Sequence, residues 1–313
     1  MKRFFKSLLL LLGILSVVNV VLDFGFSRYL NHYPKLMYNA WNNIIHDSID
    51  ADLLVMGSSR AWVQYDPHIM DSLLSVNSYN LGLNGSHVKR QIIKYEVYQH
   101  YQKRQPLFLI INFDYFGNWE KDGGGGGFQR EQFFPYLTNP YMRKLIKEQE
   151  PFSLLELYLP MFRYYQHGVM NILEDIYNKD CWYKGYYWGM PQEWDGTKLA
   201  KIQTVRFEPL NDVVEKFDFF LRELQKEGVQ VVFVTSPIYI GVTERTENIQ
   251  DYYAFRKHFS EKYDIPVLDY LYDSLCYDTA YFYNASHLNK TGAELFTAKL
   301  CHDIDSLGLL RKN

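Results

Sequence analysis

The chain has 313 residues, enough for one large α/β domain or for one domain with a sizeable insertion. Its formal charge of −3 and pI near 6.3 supply no cationic field that would attract nucleic acid, so no nucleic-acid partner is expected. The three cysteines (Cys181, Cys276 and Cys301) lack metal-ligand spacing, so no metal or other cofactor is predicted, and buried free thiols are favoured over a disulfide between the last two.

The N-terminal segment is basic and then strongly apolar. Lys2, Arg3 and Lys6 precede a stretch without charge from residue 7 to 22, and residues 7–26 approach the roughly 20 that span a bilayer. Positive residues ahead of the stretch place the N-terminus in the cytoplasm and the remaining chain on the far side of the membrane. Because no small-x-small cleavage site follows, residues 1–28 are expected to form an uncleaved anchor rather than a signal peptide, with residues 29–50 as a connector.

Strand and helix patterns alternate after the connector. The apolar run 53–56 predicts a buried strand and is followed by Gly57, Ser58 and Ser59. Further strands are predicted at 78–83, 107–112, 229–235 and 265–269, and helices at 66–74, 86–102, 210–227 and 250–263. This alternation predicts an α/β domain with a parallel sheet over residues 51–313.

The alternation is interrupted at about residues 116–205, which predicts a mainly helical insertion with helices at 140–148 and 154–177. Five consecutive glycines at 123–127 lack the GK[ST] ending of a phosphate-binding loop and predict a mobile surface loop. The segment 181–194 then holds six aromatic residues. These rings either line a glycan groove or pack the insertion onto the core.

Candidate catalytic groups lie at both ends of the domain. Ser58 and Ser59 follow a strand, where open α/β sheets hold their functional groups. A serine hydroxyl is a poor nucleophile at neutral pH unless a base removes its proton. His287, just ahead of a predicted helix late in the chain, is the candidate base.

Three sequence blocks carry a resemblance to a known family. The blocks GSSR (57–60), NLGLNGS (80–86) and NASHLN (284–289) resemble the SGNH (GDSL-like) hydrolase superfamily, in its membrane-anchored GSSR-type branch, which is similar to the DltD and alginate-acetylation proteins of bacterial surface acylation systems. The resemblance covers most of residues 50–305 and implies a three-layer, flavodoxin-like fold. It implies Ser59 as the nucleophile, with Ser58 as the alternative, and Gly85 as a backbone donor of the oxyanion hole.

Two positions depart from the family pattern. The third block places Asp114 where an asparagine is usual, so either Asn112 or backbone amides would complete the oxyanion hole, because a carboxylate repels an oxyanion. The position of the catalytic acid holds Asn284. Three alternatives follow: a Ser-His pair oriented by Asn284 or a carbonyl, another acid, or loss of strong activity. The other acids considered are Asp269, Asp273 and Asp278.

Taken together, these features predict serine-dependent acyl-ester chemistry, either O-acyl transfer or deacylation, on a cell-surface polysaccharide. The resemblance implies a location on the periplasmic or cell-surface side of the bacterial inner membrane and a multi-spanning membrane acyltransferase as a partner. A different class of function is also open. A non-catalytic glycan-binding or assembly subunit of a surface acylation system would use the same cleft.

Overall fold

A computed structural model describes most of the chain, in residues 1–33, 36–102, 104–115, 119, 130–149, 152–166, 181–190, 194–196 and 204–310. The chain divides into two compact units, one of residues 1–43 with 129–180 and one of residues 44–128 with 181–313. The predicted insertion is thus shared between the units. The glycine run 123–127 lies outside the described residues.

Twelve α-helices and nine strands fall within these described residues. The helices are α1 (Lys2–Leu30), α2 (Leu36–His46), α3 (Ser59–Gln64), α4 (Pro67–Leu74), α5 (Val88–Tyr101), α6 (Pro140–Gln149), α7 (Leu154–Tyr158), α8 (Phe162–Gln166), α9 (Asn211–Lys226), α10 (Ile240–Thr243), α11 (Ile249–Tyr263) and α12 (Lys290–Ser306). The strands are β1 (Leu53–Met56), β2 (Ser78–Asn80), β3 (Phe108–Asn112), β4 (Trp182–Tyr183), β5 (Tyr186–Tyr187), β6 (Gln230–Thr235), β7 (Val267–Asp269), β8 (Phe282–Asn284) and β9 (His287–Leu288).

The second unit is built on a five-stranded parallel sheet in the order β2-β1-β3-β6-β7. This order is that of flavodoxin-like sheets, in which the chain leaves the first strand toward one neighbour and later returns to the other. All residues of β1 and β3 are buried, as expected for continuous apolar runs in a parallel sheet covered on both faces. The predicted α/β fold with a parallel sheet is confirmed.

Several local predictions are also confirmed. Asp66 caps α4 by accepting a hydrogen bond from the amide of His68, and Pro67 occupies the first helical position. The helix predicted at 86–102 is α5, and its apolar residues Val88, Ile92, Ile93 and Val97 are buried. Cys276 and Cys301 are buried free thiols.

Two predicted elements end earlier than expected. The strand predicted at 78–83 stops at Asn80, because the Asn80 side chain accepts a hydrogen bond from the Gly82 amide and turns the chain. The helix predicted at 154–177 breaks after Tyr158, since Pro160 cannot continue it, and α8 begins two residues after that proline. The remainder of that prediction, beyond residue 166, lies outside the described residues.

In the first unit, α1 is long and apolar enough to cross a membrane, judged by its length and composition. A signal sequence can have the same length and composition. Asp23 is the one charged residue between Lys6 and Arg28 in the sequence. Its carboxylate forms an ion pair with Arg163 at 2.7 Å, so the short helix α8 is fastened to α1.

The aromatic segment that follows residue 180 packs against the second unit's core. Within it, β4 and β5 form a hairpin, and Tyr187 stacks on Trp62 at a ring-centroid distance of 4.8 Å and an interplanar angle of 7°. Tyr186 belongs to the buried cluster, while Trp188 and Trp194 pack against it. These contacts confirm that the segment packs onto the core, whereas glycan binding by its partly exposed rings stays a prediction.

Gly185, in the turn of this hairpin, lies closer to the main chain of Asn80 than a residue with a side chain could. Its φ is +83°, and a Cβ atom would lie 1.9 Å from the carbonyl oxygen of Asn80. We expect Gly185→Ala to lower the free energy of unfolding by roughly 3 kcal/mol, the sum of the left-handed backbone cost and the steric displacement. Thermal unfolding followed by circular dichroism measures the change.

Gly228→Ala is the matched control for this substitution. Gly228 has a similar φ of +74°, but no atom lies within 4 Å of the position that its Cβ would take, so only the backbone cost of about 1 to 2 kcal/mol applies. Equal losses in the two variants would show that the hairpin does not depend on this close approach.

Candidate active site

Ser59 is the first residue of α3 and follows the carboxyl end of β1, which lies between β2 and β3 in the sheet. This is the position at which an open α/β sheet changes direction and where such folds hold ligands. The hydroxyl oxygen of Ser59 lies 2.7 Å from Nε2 of His287, although 228 positions separate the two residues in sequence. The fold therefore joins the predicted nucleophile and the predicted base directly.

A tight hairpin presents His287. Asn284, at the end of β8, pairs with His287, at the start of β9, across a turn of two residues. The amide of Tyr239 holds this turn by donating to the carbonyl oxygen of Ala285 at 3.0 Å. Helix α12 follows at once, and its N-cap Asn289 accepts a hydrogen bond from the Gly292 amide. His287 is therefore fixed by the main chain on both sides.

The Asn284 side chain sets the protonation pattern of His287. Its Oδ1 accepts a hydrogen bond from the backbone amide of Ser286 at 3.0 Å, and because an amide N–H can only donate, the oxygen must face this way. The same Oδ1 lies 2.9 Å from Nδ1 of His287, so Nδ1 carries the proton. Nε2 is then the unprotonated nitrogen and accepts the proton of the Ser59 hydroxyl.

Asn284 orients the imidazole without giving it a negative neighbour. Desolvation by burial lowers the pKa of His287 to about 3, and the positive charge of Arg60 adds to the decrease. The histidine is therefore neutral at ordinary pH, as a general base must be, but its protonated form is poorly stabilised. Tyr283 stacks on its ring at a centroid distance of 5.3 Å.

The three alternative acids are engaged elsewhere. Asp269 forms an ion pair with Arg256 at 2.6 Å, and Asp273 forms one with Lys299 at 2.5 Å. Asp278 caps a short 3-10 turn by accepting from the Ala280 amide. The contacts of Nδ1 of His287 are instead Asn284 and the Ser286 hydroxyl. The geometry corresponds to the alternative in which Asn284 orients a Ser-His pair.

Ser58 faces a different partner from Ser59. Its hydroxyl donates a hydrogen bond to Oδ2 of Asp114 at 2.8 Å, and the residue is buried. Arg60 forms an ion pair with Oδ1 of the same carboxylate, and both side chains are 2% exposed. Consecutive residues thus have separate tasks, because Ser59 meets the histidine while Ser58 and Arg60 bind Asp114.

Asn112 and Asp114, the two candidates from the third block, belong to this buried network. The side-chain amide of Asn112 donates to Oδ1 of Asp114 at 2.6 Å, and its oxygen accepts from the Tyr65 hydroxyl. Asp114 therefore receives hydrogen bonds from three side chains, and Arg60 balances its charge. These contacts brace Ser58 and Arg60, the residues on either side of Ser59.

Gly85 lies in an exposed turn with a φ of +63°, a backbone conformation that glycine adopts without strain. The loop that carries it is fixed to the end of β1, because the Leu83 amide donates to the carbonyl oxygen of Gly57 at 3.1 Å. Lys94, fully buried on α5, donates to the carbonyl oxygen of Gly82 at 3.0 Å. Burial lowers the pKa of Lys94 to about 7.

Sequence reasoning missed the supporting roles of Asn80 and Lys94. The Asn80 side chain donates to the carbonyl oxygens of Ala61 and Tyr65, which ties α3 to the end of β2. Asparagine two residues before glycine at a strand end is a signal for such a side-chain turn. Lys94 had no comparable signal, because a lysine in an amphipathic helix normally faces water.

Among the described residues, no group of three or more His, Cys, Asp or Glu side chains is arranged to hold a metal ion. The arrangement that the structure does present is a hydroxyl, an imidazole and a carboxamide in a hydrogen-bonded row. Such a row can form and break an acyl ester at the serine oxygen.

No family model matches the chain, and no curated protein matches it. Solved structures with some similarity include a presumed lipolytic protein of the G-D-S-L family from Desulfitobacterium hafniense, with a TM-score of 0.40 and 10% identity over 80% of this chain and 98% of that one. A GDSL-like lipase from Bacteroides thetaiotaomicron has a TM-score of 0.40 and 9% identity, covering 82% of this chain and 88% of that chain.

A presumed acylhydrolase from Bacteroides fragilis has a TM-score of 0.37 and 11% identity, covering 80% of this chain and 86% of that chain. With TM-scores below 0.5 and identities near 10%, these likenesses assign no residue and no activity to this chain.

Proposed function

We propose that this protein performs serine-dependent acyl-ester chemistry, with Ser59 as the nucleophile and His287 as its base. The observation that carries the proposal is the 2.7 Å contact between the Ser59 hydroxyl and Nε2 of His287. The tautomer fixed by Asn284 supports it, because the unprotonated nitrogen is the one that faces the hydroxyl. A serine without such a partner would be an ordinary turn residue.

The reaction proceeds through an acyl-serine intermediate. The Ser59 oxygen attacks the acyl carbonyl carbon while its proton moves to Nε2 of His287. The tetrahedral intermediate then collapses, the carbon–oxygen bond to the donor alcohol breaks, and that alcohol leaves with the proton from His287. An incoming hydroxyl next gives its proton to His287 and attacks the acyl carbon. The bond between that carbon and the Ser59 oxygen then breaks, and Ser59 takes the proton back from His287. A sugar hydroxyl gives O-acyl transfer, and water gives deacylation.

We assign the oxyanion hole to the backbone amides of Ser59 and Gly85. The Ser59 amide is at the first position of a helix, where an N–H has no acceptor within the helix. Gly85 has no side chain to obstruct an approaching carbonyl, and its loop is tied to Gly57 next to the nucleophile. Each preorganised donor of this kind stabilises the transition state by roughly 3 kcal/mol.

We further propose a cell-surface polysaccharide as the acceptor or substrate and the extracytoplasmic side of a membrane as the location. Helix α1, with basic residues before its apolar stretch, supports an anchor oriented in that way. The resemblance of the three sequence blocks to the DltD and alginate-acetylation branch supports acyl transfer over deacylation. A multi-spanning membrane acyltransferase that delivers the acyl group is the proposed partner.

One observation favours a second function, that of a non-catalytic glycan-binding or assembly subunit. The pKa of His287 is lowered to about 3 and its neighbour Asn284 carries no charge, so the imidazolium formed during catalysis is weakly supported. A protein that had lost catalysis would tolerate this arrangement. We rank it second, because a lost activity gives no reason to retain the hydrogen-bonded row of Ser59, His287 and Asn284.

The two functions can be distinguished by incubating the full-length protein in detergent with p-nitrophenyl acetate and an oligosaccharide acceptor and by measuring the products. Transfer is expected to produce acetylated oligosaccharide, and deacylation to release acetate alone. Both products should disappear in His287→Ala. A protein that forms neither product and whose Ser59 is not labelled by a fluorophosphonate would contradict the enzymatic proposal.

A further inference from the structure

The first unit carries a surface of reversed polarity at residues 154–166, which comprise α7, α8 and the turn between them. Apart from Gln166 at its end, its outward side chains are apolar or tyrosine, with exposed fractions of 74% for Leu154, 53% for Leu155, 65% for Tyr158, 47% for Leu159 and 58% for Tyr165. The segment has two charged residues, Glu156 and Arg163, and both are buried, unlike the charged residues of a surface that faces water.

The turn of this segment is fastened to α1 by the single acidic residue of that helix. Asp23 accepts a hydrogen bond from the Met161 amide at 2.8 Å and pairs with Arg163 through its other oxygen. Arg163 also donates to the Ser27 hydroxyl at 3.1 Å. These contacts fix the position of the 154–166 segment along the axis of α1.

On the N-terminal side of Asp23, helix α1 and the 154–166 segment line one apolar groove. Leu12, Leu15 and Val20 form part of the α1 side, and the facing side consists of Leu159, Pro160, Phe162 and Tyr165. The uncharged stretch of α1 runs from residue 7 to 22, so this groove lies mostly in the half that ends at Asp23. With the N-terminus in the cytoplasm, that half occupies the leaflet that faces away from the cytoplasm.

The main-chain donors in the turn of the segment are paired, as hydrocarbon surroundings require. Ser153 and Glu156 form a capping box at the start of α7. In the turn, the Leu159 amide donates to Leu155 and the Phe162 amide donates to Leu159, while Asp23 accepts from the third amide of the turn. A turn with open amides would be expelled from lipid, and this one has its donors paired.

We propose that residues 154–166 are immersed in the outer leaflet beside α1, with lipid acyl chains filling the shared groove. The proposal rests on the anchor role proposed for α1. Three independent features point to lipid as the occupant: the outward side chains lack charge, the groove continues the lipid-facing surface of the apolar helix, and the turn's backbone is paired. Tyr158 and Tyr165 suit the boundary between chains and headgroups.

The test is site-directed spin labelling of the full-length protein in lipid vesicles. Cys181 is first replaced by serine, because it is the one partly exposed cysteine among the three. Single cysteines are then introduced in the segment by Leu155→Cys and Leu159→Cys, and on the facing side of α1 by Val20→Cys. Lys144→Cys, at an exposed position of α6, serves as the water-facing control. Electron paramagnetic resonance compares accessibility of each label to oxygen, which dissolves in lipid, and to a nickel chelate, which stays in water.

The labels at 155 and 159 are expected to favour oxygen as strongly as the label at 20, whereas the label at 144 favours the chelate. If the label at 20 is lipid-buried but those at 155 and 159 resemble the label at 144, the immersion proposal is overturned and the anchor stands. If the label at 20 is itself in water, the anchor proposal fails.

Two further outcomes would identify a different occupant. Shielding of the labels at 155 and 159 that is lost when the protein is diluted into more lipid would assign the groove to a second copy of the chain. Labels that face water in purified vesicles but become shielded in native membranes would assign it to another membrane protein. Either result contradicts lipid as the occupant. Shielding that is unchanged over a tenfold range of lipid-to-protein ratio supports it.

Discussion

Replacing Ser59 by alanine is expected to abolish covalent labelling by a fluorophosphonate and to lower p-nitrophenyl acetate cleavage by at least about 1,000-fold. The reason is that the Ser59 oxygen is the atom aligned with the unprotonated nitrogen of His287. In the probe reaction this oxygen attacks phosphorus, fluoride leaves, and the proton passes to the histidine. Mass spectrometry of the labelled peptide locates the modified oxygen.

Ser58→Ala is the matched control, since it removes the neighbouring hydroxyl and leaves Ser59 in place. Its cost should be the loss of one hydrogen bond to Asp114, of about 1 to 3 kcal/mol in stability because the acceptor is a buried carboxylate. Labelling should persist. If Ser59→Ala remains labelled and Ser58→Ala does not, the nucleophile is Ser58 and the mechanism proposed above is wrong.

Asn284→Asp is expected to increase activity, by roughly 100-fold to 10,000-fold in kcat. The estimate inverts the fall of about 10⁴ that follows the replacement of Asp by Asn in the serine-protease triad. Aspartate keeps the oxygen that accepts from the Ser286 amide and from Nδ1 of His287, so the geometry is preserved while a negative charge is added. The steady-state rate of p-nitrophenyl acetate cleavage measures the gain.

The pH dependence should change in the same variant. With Asn284 the pKa of His287 is lowered to about 3, so the base is unprotonated and the rate is level from pH 8 down to about pH 5. A carboxylate at position 284 raises the pKa of His287, so the rate of the variant should fall as the pH drops through the ordinary histidine range near 6.5.

Asn284→Ala provides the opposite control, because it removes the oxygen that fixes the histidine tautomer. Its rate should fall below that of the parent protein at every pH. An Asn284→Asp variant with unchanged rate and pH profile would show that the Asn284 contact does not contribute to catalysis. That result would favour the non-catalytic function, provided that the Asn284→Asp variant has the same melting temperature as the parent protein.

The sheet was predictable because its strands are short apolar runs separated by amphipathic helices. The pairing of a strand-end serine with His287 was predicted from the need of a hydroxyl for a base, and the resemblance of the blocks favoured Ser59 over Ser58, but the contact that separates the two serines depends on long-range geometry. Both hydroxyls follow the same strand, and they differ in the direction they face once α3 begins, toward His287 or toward Asp114. No local sequence pattern records that difference.

The first unit was harder to foresee. Asp23 in an apolar helix and Arg163 in an aromatic segment lie 140 positions apart, and their pairing leaves no periodic signal in the sequence. The break between α7 and α8 followed from Pro160, and a longer helix was expected because the apolar periodicity continues past it. Periodicity indicates which face of a helix is apolar, but it does not indicate whether that face contacts lipid, the protein core or water.

Because Ser59 and His287 are far apart in sequence, fluorophosphonate labelling can also report when the two residues come together during refolding. A contact between residues 228 positions apart closes a long loop at an entropic cost, so we expect it to form late in folding. The hydroxyl is activated only after the β8–β9 hairpin has reached it. Labelling during refolding from denaturant would therefore act as a clock for the last step of assembly, and a chain with a formed sheet and an undocked hairpin would stay unlabelled.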